Sequence, residues 1–371
     1  MTPALLWLAV PAAVIWFGLL LAPWRPWSTR ERVEPLVGAS GVDCSAITVL
    51  IPARDEAEVI ARTLDSLQQQ GRGLRVIVVD DQSSDDTAAI ARRYPNVEVL
   101  SGAALPAGWA GKLWALEQGR ARVTTPLTLL LDADIALEPG LLPALLRQRE
   151  SSGASFLSLM ADLRRTSFWD RLLLPAFVYY FKLLYPFHLS NSRFKYVAAA
   201  AGGCVLLETA ALEKIGGFAS LRGALIDDCT LARRIKAAGF RTWTGMSRGV
   251  ISLRAYGTLE SIRQMVARSA FTQLGYSTLL LLLVTVIFAA AYWLPLLALA
   301  FPAVAPLAAA ALLAMMVGYW PTLRYYDLSP AWALLLPLTA SLYLWMTWSS
   351  ALGYWRGVRS RWKNRTYDVG S

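Results

Sequence analysis

Long uncharged apolar segments at both ends of the chain constrain its fold more than any other feature. The N-terminal segment ALLWLAVPAAVIWFGLLLAPW has about 21 residues without a charge, enough to cross a bilayer core of ~30 Å. A cleaved signal peptide is disfavoured because no basic residue precedes this segment. We predict a transmembrane anchor over residues 1–24 and a C-terminal transmembrane region over 276–352, with candidate spans near 278–298, 303–320 and 331–351.

Basic residues predict how these spans are oriented. Arg25, Arg30 and Arg32 follow the first span, whereas no Lys or Arg precedes it. The positive-inside rule therefore predicts a multi-pass protein of a bacterial-type inner (plasma) membrane, with residues 25–275 in the cytoplasm. The basic tail, 353–371, favours the cytoplasm as well, although three full spans would place it on the opposite side. Either one apolar run is re-entrant or the rule fails at the tail, and the sequence leaves both alternatives open.

Charge and cysteine content limit the ligands of the chain. The net charge is +10, but the basic residues lie mainly beside the apolar segments, which favours anionic lipid headgroups over nucleic acid. The three cysteines, Cys44, Cys204 and Cys229, are far apart and lack metal-site spacing. This pattern disfavours disulfides and zinc and is typical of a reducing compartment. The sequence gives no prediction of oligomeric state.

Between the apolar ends, short Val/Ile/Leu runs alternate with helical segments. AITVLIPA, LRVIVVDD, VEVLSG and PLTLLLDAD read as strands, and segments with helical periodicity separate them. Ser83 and Asp86 have the spacing of a capping box at the start of the second helix. Such alternation predicts an α/β domain with a mostly parallel sheet covered on both faces. We place it at residues 46–275, after a juxtamembrane linker at 25–45.

Acidic residues follow three of these strands. The first strand ends in ARDE, the second in DDQSSDD and the fourth in DAD. Ligands of parallel sheets bind at the carboxyl ends of the strands, so these acids should meet at one crevice. Asp132 and Asp134 are spaced so that both could reach one cation, and oxygen ligands suit Mg²⁺ or Mn²⁺. A Walker B aspartate is the rival interpretation, but GWAGKLW lacks the spacing and the hydroxyl of a phosphate-binding loop.

The ordered set of motifs resembles the family 2 glycosyltransferases with the GT-A fold. The set comprises IPARDE, VVDDQSSDDT, GKLWALEQG, LLLDADI, AGGCVLLETAALEKIGGF and IDDCTLARRIKAAG, and it covers roughly residues 46–275. Together with the flanking spans, GWAGKLWAL and RSAFTQLGYS are most similar to the hopanoid-associated membrane glycosyltransferases. The resemblance implies a Rossmann-like cytoplasmic GT-A domain with one N-terminal and about three C-terminal transmembrane helices.

The resemblance also implies a role for each motif residue. The acids of the first two strand ends and Lys112 would bind the nucleotide-sugar donor, and the D-x-D pair would hold a divalent metal, Mg²⁺ or Mn²⁺, on its diphosphate. Lys112 has an alternative as a solvated cation at a helix start. Gly202 and Gly203 match small residues where the acceptor passes close to the backbone. The donor set is Asp55, Glu56, Asp80, Asp81, Lys112 and Asp132, and the metal set is Asp132 and Asp134.

Two acids at a predicted helix start match the catalytic motif of the family. Asp227 and Asp228 occupy the acidic positions of its EDxxLxxR pattern, and Asp228 aligns with the general base of inverting members. A base in this position takes the proton of the acceptor hydroxyl as that hydroxyl attacks the anomeric carbon. From the residues alone, two acids stabilised by the helix dipole explain the pattern equally well.

One motif departs from the family pattern. Many membrane-bound members carry Q/R-x-x-R-W after the base, whereas here Gln264 and Arg268 are one residue too far apart and Ser269 replaces the Trp. The resemblance places Gln264 and Arg268 on the acceptor and diphosphate side, and the missing Trp argues against a processive reaction.

The aromatic and basic segment 164–197, which contains the single histidine His188, has two interpretations: a membrane-interface segment or an insertion packed on transmembrane helices.

The motifs therefore predict an inverting enzyme that moves one sugar from a nucleotide donor, expected to be UDP-linked, to a membrane lipid such as a hopanoid. A first alternative is transfer to polyprenyl phosphate, whose acceptor is already an anion and requires no base. A second is a membrane scaffold or transporter that retains a degenerate transferase domain.

Overall fold

The computed structural model describes residues 3–39, 41–224, 227–357, 361–362 and 365–366. The rest of the basic tail predicted at 353–371 lies outside the described residues. The strands are β1 Ile47–Ala53, β2 Arg75–Asp80, β3 Val97–Ser101, β4 Leu127–Leu131, β5 Ile135–Leu137, β6 Phe156–Asp162, β7 Cys204–Glu208, β8 Thr242–Ser252, β9 Arg361–Trp362 and β10 Arg365–Thr366. The α-helices are α1 Pro3–Leu21, α2 Ile60–Gln68, α3 Thr87–Ala91, α4 Gly111–Arg120, α5 Leu141–Ser152, α6 Phe168–Leu184, α7 Phe187–Ser190, α8 Thr209–Lys214, α9 Asp227–Ala237, α10 Leu259–Ala267, α11 Ala270–Gln273, α12 Thr278–Phe288, α13 Leu294–Ala298, α14 Ala305–Tyr325 and α15 Leu336–Trp355.

The chain packs into two compact units, each assembled from separate segments. The helical unit comprises Met1–Arg30, Arg165–His188 and Tyr256–Val358. The sheet unit comprises Glu31–Arg164, Leu189–Ala255 and Arg359–Ser371. The domain bounds predicted from the sequence, 46–275 for the α/β domain included, stay predictions.

The sheet unit is built on an eight-stranded mixed sheet in the order β3-β2-β1-β4-β7-β6-β8-β5. The first four strands pair in parallel, as the alternation of strands and helices predicts. β7 differs, since it pairs antiparallel with both β4 and β6, and β5 pairs antiparallel with β8. Parallel neighbours in a sheet are joined by a crossover connection, usually a helix. A long segment of chain separates β4 from β7, and the two strands pair antiparallel, so this requirement does not apply to β7.

Both faces of the sheet are covered, which explains why its central strands lack polar alternation. All seven residues of β1 and all five of β4 are buried. Val49, Ile51 and Leu129 pack in the core formed with α2 and α5. Their neighbours Leu50 and Leu130 point the other way, into the core formed with α4, α8 and α9. Successive residues of a strand point to opposite faces, so in a strand covered on both faces the side chains of both sets are buried and mostly apolar.

Gly119 allows α4 to pack closely against the sheet. A Cβ on Gly119 would lie 2.2 Å from Leu50 Cδ1 and 2.8 Å from Val79 Cγ2. We expect Gly119→Ala to lower the free energy of unfolding by about 1–3 kcal/mol, because overpacking displaces buried side chains. Gly353→Ala is the matched control, since no atom lies within 4 Å of its Cβ position. The midpoint of thermal unfolding should fall for Gly119→Ala and not for Gly353→Ala; equal midpoints would contradict the packing.

The helical unit contains the predicted C-terminal spans. Within the part of the chain that the structure describes, three helical stretches are long and apolar enough to cross a membrane: Thr278–Ala298, Ala305–Tyr325 and Pro330–Trp355. They confirm the candidate spans near 278–298, 303–320 and 331–351. The N-terminal helix is apolar but shorter, at Leu5–Leu21. The buried Trp16 of this helix donates from Nε1 to the carbonyl oxygen of Ala291 at 2.8 Å, in the π-helical turn between α12 and α13.

Candidate active site

The register of β7 determines which residues meet at the end of β4. Because β7 runs antiparallel to β4, Cys204 at its start lies opposite Leu131, the last residue of β4. The pairing continues one step further, where the Asp132 N–H donates to the carbonyl oxygen of Gly203 at 3.1 Å. The sheet therefore brings Gly202 and Gly203 directly beside the first acid of the D-x-D motif.

Gly202 also contacts the start of α9. Its N–H donates to Asp228 Oδ2 at 3.0 Å, and the Cys229 N–H donates to Asp228 Oδ1 at 2.7 Å. A Cβ on Gly202 would lie 3.3 Å from Asp228 Cβ and 3.4 Å from Lys112 Nζ. A side chain at Gly202 would crowd both charged groups, so glycine suits this position. Two backbone donors hold the Asp228 carboxylate in a fixed orientation.

Lys112 lies at the centre of these acids. It is the second residue of α4, and its Nζ is 2.6 Å from Asp132 Oδ1. Lys112, Asp132, Gly202, Asp227 and Asp228 line one pocket. Burial alone would lower the pKa of Lys112, but the carboxylates of Asp132, Asp227 and Asp228 outweigh it and raise that pKa above its ordinary value. Lys112 is therefore a cation paired with these acids, and its predicted role in donor binding stays a prediction.

Asp228 has an environment that disfavours its charge. Burial and the neighbouring Asp227 carboxylate raise its pKa to about 6, against the opposing effects of the Cys229 N–H, Lys112 and the Gly202 N–H. A carboxyl with this pKa ionises just below neutral pH and binds a proton more readily than an ordinary aspartate. These properties suit a general base.

The second acid of the D-x-D motif has a different cationic partner. Asp134 Oδ2 is 2.9 Å from Nε of Arg254, and Nη2 of the same guanidinium is 3.6 Å from Glu56 Oε1. Arg254 follows the end of β8, and no motif of the sequence pointed to it. A weak signal was present, since Arg254 follows the end of a strand just as the acids follow theirs.

The first two strand ends are joined through their loops. Asp55 Oδ1 accepts hydrogen bonds from the N–H and the hydroxyl of Ser84, and the Asp55 N–H donates to Ser83 Oγ. The predicted capping box of Ser83 and Asp86 is wrong: Asp86 is the N-cap of α3 and makes no side-chain capping bond. The Ser83 hydroxyl bonds the neighbouring strand end instead, a tertiary contact that local spacing does not reveal.

Two residues at these strand ends have unusual backbone conformations. Asp55 and Gln82 have φ values of 50° and 57°, in the left-handed region that favours glycine. Such strain persists where the surrounding contacts hold it, and it clusters at ligand-binding sites. Of the predicted donor residues nearby, Asp80 is 9 % exposed and Asp81 is fully buried, with its Oδ2 3.9 Å from Nη1 of Arg54.

Gln264 and Arg268 belong to the helical unit, as does His188. Gln264 lies in α10 and donates to Glu260 Oε1 at 2.9 Å, and Arg268 is the C-cap of that helix. Their predicted role on the acceptor and diphosphate side stays a prediction.

The two carboxylates that follow β4 fit a divalent cation that takes its remaining ligands from elsewhere. Among the described residues, no group of three or more His, Cys, Asp or Glu side chains forms a self-sufficient metal site. Asp132 and Asp134 offer two carboxylates, and Mg²⁺ is held by one or two carboxylates together with substrate phosphates and water.

Comparison with known proteins assigns this arrangement to a family. The sequence profile described as glycosyltransferase-like family 2 matches residues 45–270, more than half of the chain. The chain belongs to glycosyltransferase family 2. The matched region contains both D-x-D acids, Lys112 and Asp228, so the pocket described above is the candidate active site of a family 2 glycosyltransferase.

Similar proteins include two staphylococcal glycosyltransferases and a solved mannosyltransferase of matching fold. The chain is 37% identical over 111 residues to the 4,4'-diaponeurosporenoate glycosyltransferase of Staphylococcus aureus (strain MRSA252), a match that covers 29% of each protein. It is 35% identical over 101 residues to the enzyme of the same name from Staphylococcus haemolyticus, with 26% of each covered. The mannosyltransferase PcManGT of Pyrobaculum calidifontis, solved with GDP-Man and Mn²⁺, shares the fold at a TM-score of 0.54 and 20% identity, over 94% of this chain and 99% of that chain.

Proposed function

We propose that this family 2 glycosyltransferase is an inverting enzyme of a bacterial-type inner membrane. It transfers a single sugar from a nucleotide donor, a UDP-sugar in our proposal, to the hydroxyl of a membrane lipid, with a hopanoid as the candidate acceptor. The observation that carries the proposal is the convergence of Asp132, Lys112 and Asp228 on Gly202 within one pocket of the sheet unit.

The proposed reaction assigns one task to each of these residues. Asp228 takes the proton of the acceptor hydroxyl, whose oxygen forms the new bond to the anomeric carbon. The bond from that carbon to the diphosphate breaks, and the nucleoside diphosphate leaves with the electron pair. Lys112 stabilises the negative charge of the diphosphate from the side of Asp132. A divalent cation bound to Asp132 and Asp134 supplies further stabilisation of that leaving charge.

Three observations support a lipid acceptor. Three apolar helices have the length and composition to cross a bilayer, which supports an enzyme that acts at a membrane. The staphylococcal relatives are named as glycosyltransferases of 4,4'-diaponeurosporenoate. In the sheet unit, the loop Arg193–Tyr196 exposes Phe194 and Tyr196, 48% and 76% exposed, together with two basic side chains. Exposed aromatic rings beside Lys and Arg are typical of membrane–water interfaces.

The pKa of Asp228 predicts the pH dependence of transfer. The base works as the carboxylate, so its active form is lost as the pH falls through the pKa of about 6. We expect kcat/KM to be constant above pH 7 and to fall about tenfold per pH unit well below 6. Initial rates at saturating metal between pH 5 and 8 test this, after incubation controls confirm that the enzyme survives each pH. A flat profile across the range would contradict the assignment of Asp228.

Release of nucleoside diphosphate tests the proposed function directly. The full chain in lipid nanodiscs should release UDP from a UDP-sugar only when both a divalent cation and a lipid extract with free hydroxyl groups are present. Nanodiscs without the extract measure background hydrolysis. Release that does not depend on the lipid extract would contradict transfer to a lipid.

A further inference from the structure

Arg254 connects the two acidic regions of the site. β8 pairs antiparallel with β5, with Ser252 opposite Ile135, and the Leu253 N–H donates to the Asp134 carbonyl oxygen at 2.8 Å. This register fixes the backbone of Arg254 beside Asp134. Its guanidinium lies 2.9 Å from the Asp134 carboxylate and 3.6 Å from that of Glu56.

Charge balance distinguishes this arrangement from an ordinary surface ion pair. The side chains of Asp134 and Glu56 are only 18% and 13% exposed, whereas that of Arg254 is 45% exposed. The other acid of the D-x-D motif has its own cation, Lys112. Both carboxylates that would bind a metal are therefore neutralised by basic side chains from different elements of the sheet unit.

A divalent cation and Arg254 compete for the same carboxylate. A cation on Asp134 would face the guanidinium at short range, and like charges so placed repel strongly. A nucleoside diphosphate would remove this repulsion, because its negative oxygens can accept hydrogen bonds from Arg254. Guanidinium groups match the geometry of phosphate oxygens well. The cation then gains phosphate ligands while Arg254 gains a new anionic partner.

We propose that Arg254 is a positioning residue that occupies Asp134 in the absence of donor and makes metal binding depend on the diphosphate. This inference rests on the proposed function, in which Asp132 and Asp134 hold the cation. Its consequence is an order of binding: the cation and the nucleotide enter together, and the free enzyme binds the cation weakly.

Titration with MnCl₂ tests the inference without any turnover. The full chain in nanodiscs of zwitterionic lipid is titrated, and free Mn²⁺ is followed by its electron paramagnetic resonance signal, with no nucleotide, with UDP or with GDP. The variants are Arg254→Gln and Arg254→Met, which remove the charge, and Arg254→Lys, which retains it. Arg75→Gln is the matched control, because Arg75 pairs with Glu98 at 2.8 Å on the surface of the same unit.

We expect wild type to bind Mn²⁺ weakly alone and more tightly with nucleotide. Arg254→Gln and Arg254→Met should raise the nucleotide-free affinity on the order of tenfold, since the competing cation is gone. Arg254→Lys and Arg75→Gln should resemble wild type. Unchanged nucleotide-free affinity in both neutral variants, with nucleotide-dependent Mn²⁺ binding by wild type, overturns the inference and leaves the proposed function standing. Absence of Mn²⁺ binding by wild type with either nucleotide overturns the proposed metal site and the inference with it.

Discussion

Asp228→Asn should lower the rate of glycosyl transfer by about 10³-fold, because a positioned general base contributes roughly 10²–10⁴. Asparagine has nearly the shape of aspartate but only one acceptor oxygen, so it can keep one of the two backbone hydrogen bonds, from Gly202 or from Cys229, while the proton acceptor is lost. Nucleotide affinity should stay near that of wild type, since Asp228 lies on the acceptor side in the proposed reaction. Transfer to lipid and binding of UDP by calorimetry are measured on the same preparation.

The stability of this variant separates a catalytic role from a structural one. Burial and Asp227 raise the pKa of Asp228 to about 6, so the folded protein binds this proton more tightly than the unfolded chain does. The ionised carboxylate therefore costs stability progressively as the pH rises from its ordinary pKa to above 6. At pH 7.5 the neutral asparagine removes this cost, which offsets the loss of one backbone hydrogen bond, so we expect an unfolding midpoint close to that of wild type. Asp86→Asn, at an exposed helix start, is the control for the chemical change.

The same variant discriminates between acceptors. A lipid hydroxyl requires a base, whereas a polyprenyl phosphate is already an anion. Full activity of Asp228→Asn with a polyprenyl-phosphate acceptor would support that alternative and contradict the hydroxyl acceptor. Substantial transfer to a lipid hydroxyl by Asp228→Asn would contradict the role of Asp228. A protein without metal-dependent binding of UDP-sugars would instead fit a non-catalytic scaffold.

Asp132→Asn should produce a comparable loss of transfer, about 10²–10³-fold, through a different step. The substitution removes one carboxylate ligand of the proposed cation and the 2.6 Å partner of Lys112. Metal-assisted stabilisation of a leaving phosphoryl oxygen contributes several kcal/mol, which is lost with the ligand. Calorimetric titration with UDP in the presence and absence of Mn²⁺ should show metal-dependent binding in wild type and not in the variant.

The two aspartate variants should differ in nucleotide binding. Asp228→Asn should bind the nucleotide and fail to transfer the sugar, whereas Asp132→Asn should fail in both. Asp65→Asn, whose carboxylate accepts from Tyr94 outside the pocket, controls for loss of an acid elsewhere in the unit. Metal-dependent UDP affinity of Asp132→Asn equal to that of wild type would contradict the role of the D-x-D pair.

Local patterns were sufficient to predict the parallel half of the sheet and the spans. Val/Ile/Leu-rich runs such as Ile47–Ala53 are buried on both faces, and the apolar helices have the predicted positions. The acids at strand ends followed from the rule that parallel strands place their carboxyl ends at one edge. The positions of Asp132, Asp134 and the other acids at the strand ends could therefore be predicted from order and spacing.

Contacts between distant segments could not be predicted in this way. The antiparallel entry of β7 brings Gly203 to Asp132 across 71 residues of sequence, and no local signal encodes that register. Arg254 reaches Asp134 because β8 pairs with β5, again a long-range choice. The Ser83 hydroxyl could have capped a helix or bonded another loop, and in the structure it accepts a hydrogen bond from the Asp55 N–H. Competition between local and tertiary hydrogen bonds is decided by the whole fold.

The most direct test of the proposed sugar transfer is to identify its product. Membranes that contain the full chain are incubated with a panel of labelled nucleotide sugars, and the labelled lipids are identified by mass spectrometry, with Asp228→Asn membranes as the matched control. We expect one labelled lipid that carries a single sugar on a hydroxyl and is absent from the control membranes. Label attached to a lipid phosphate, or labelled lipid in equal amount with Asp228→Asn, would contradict it.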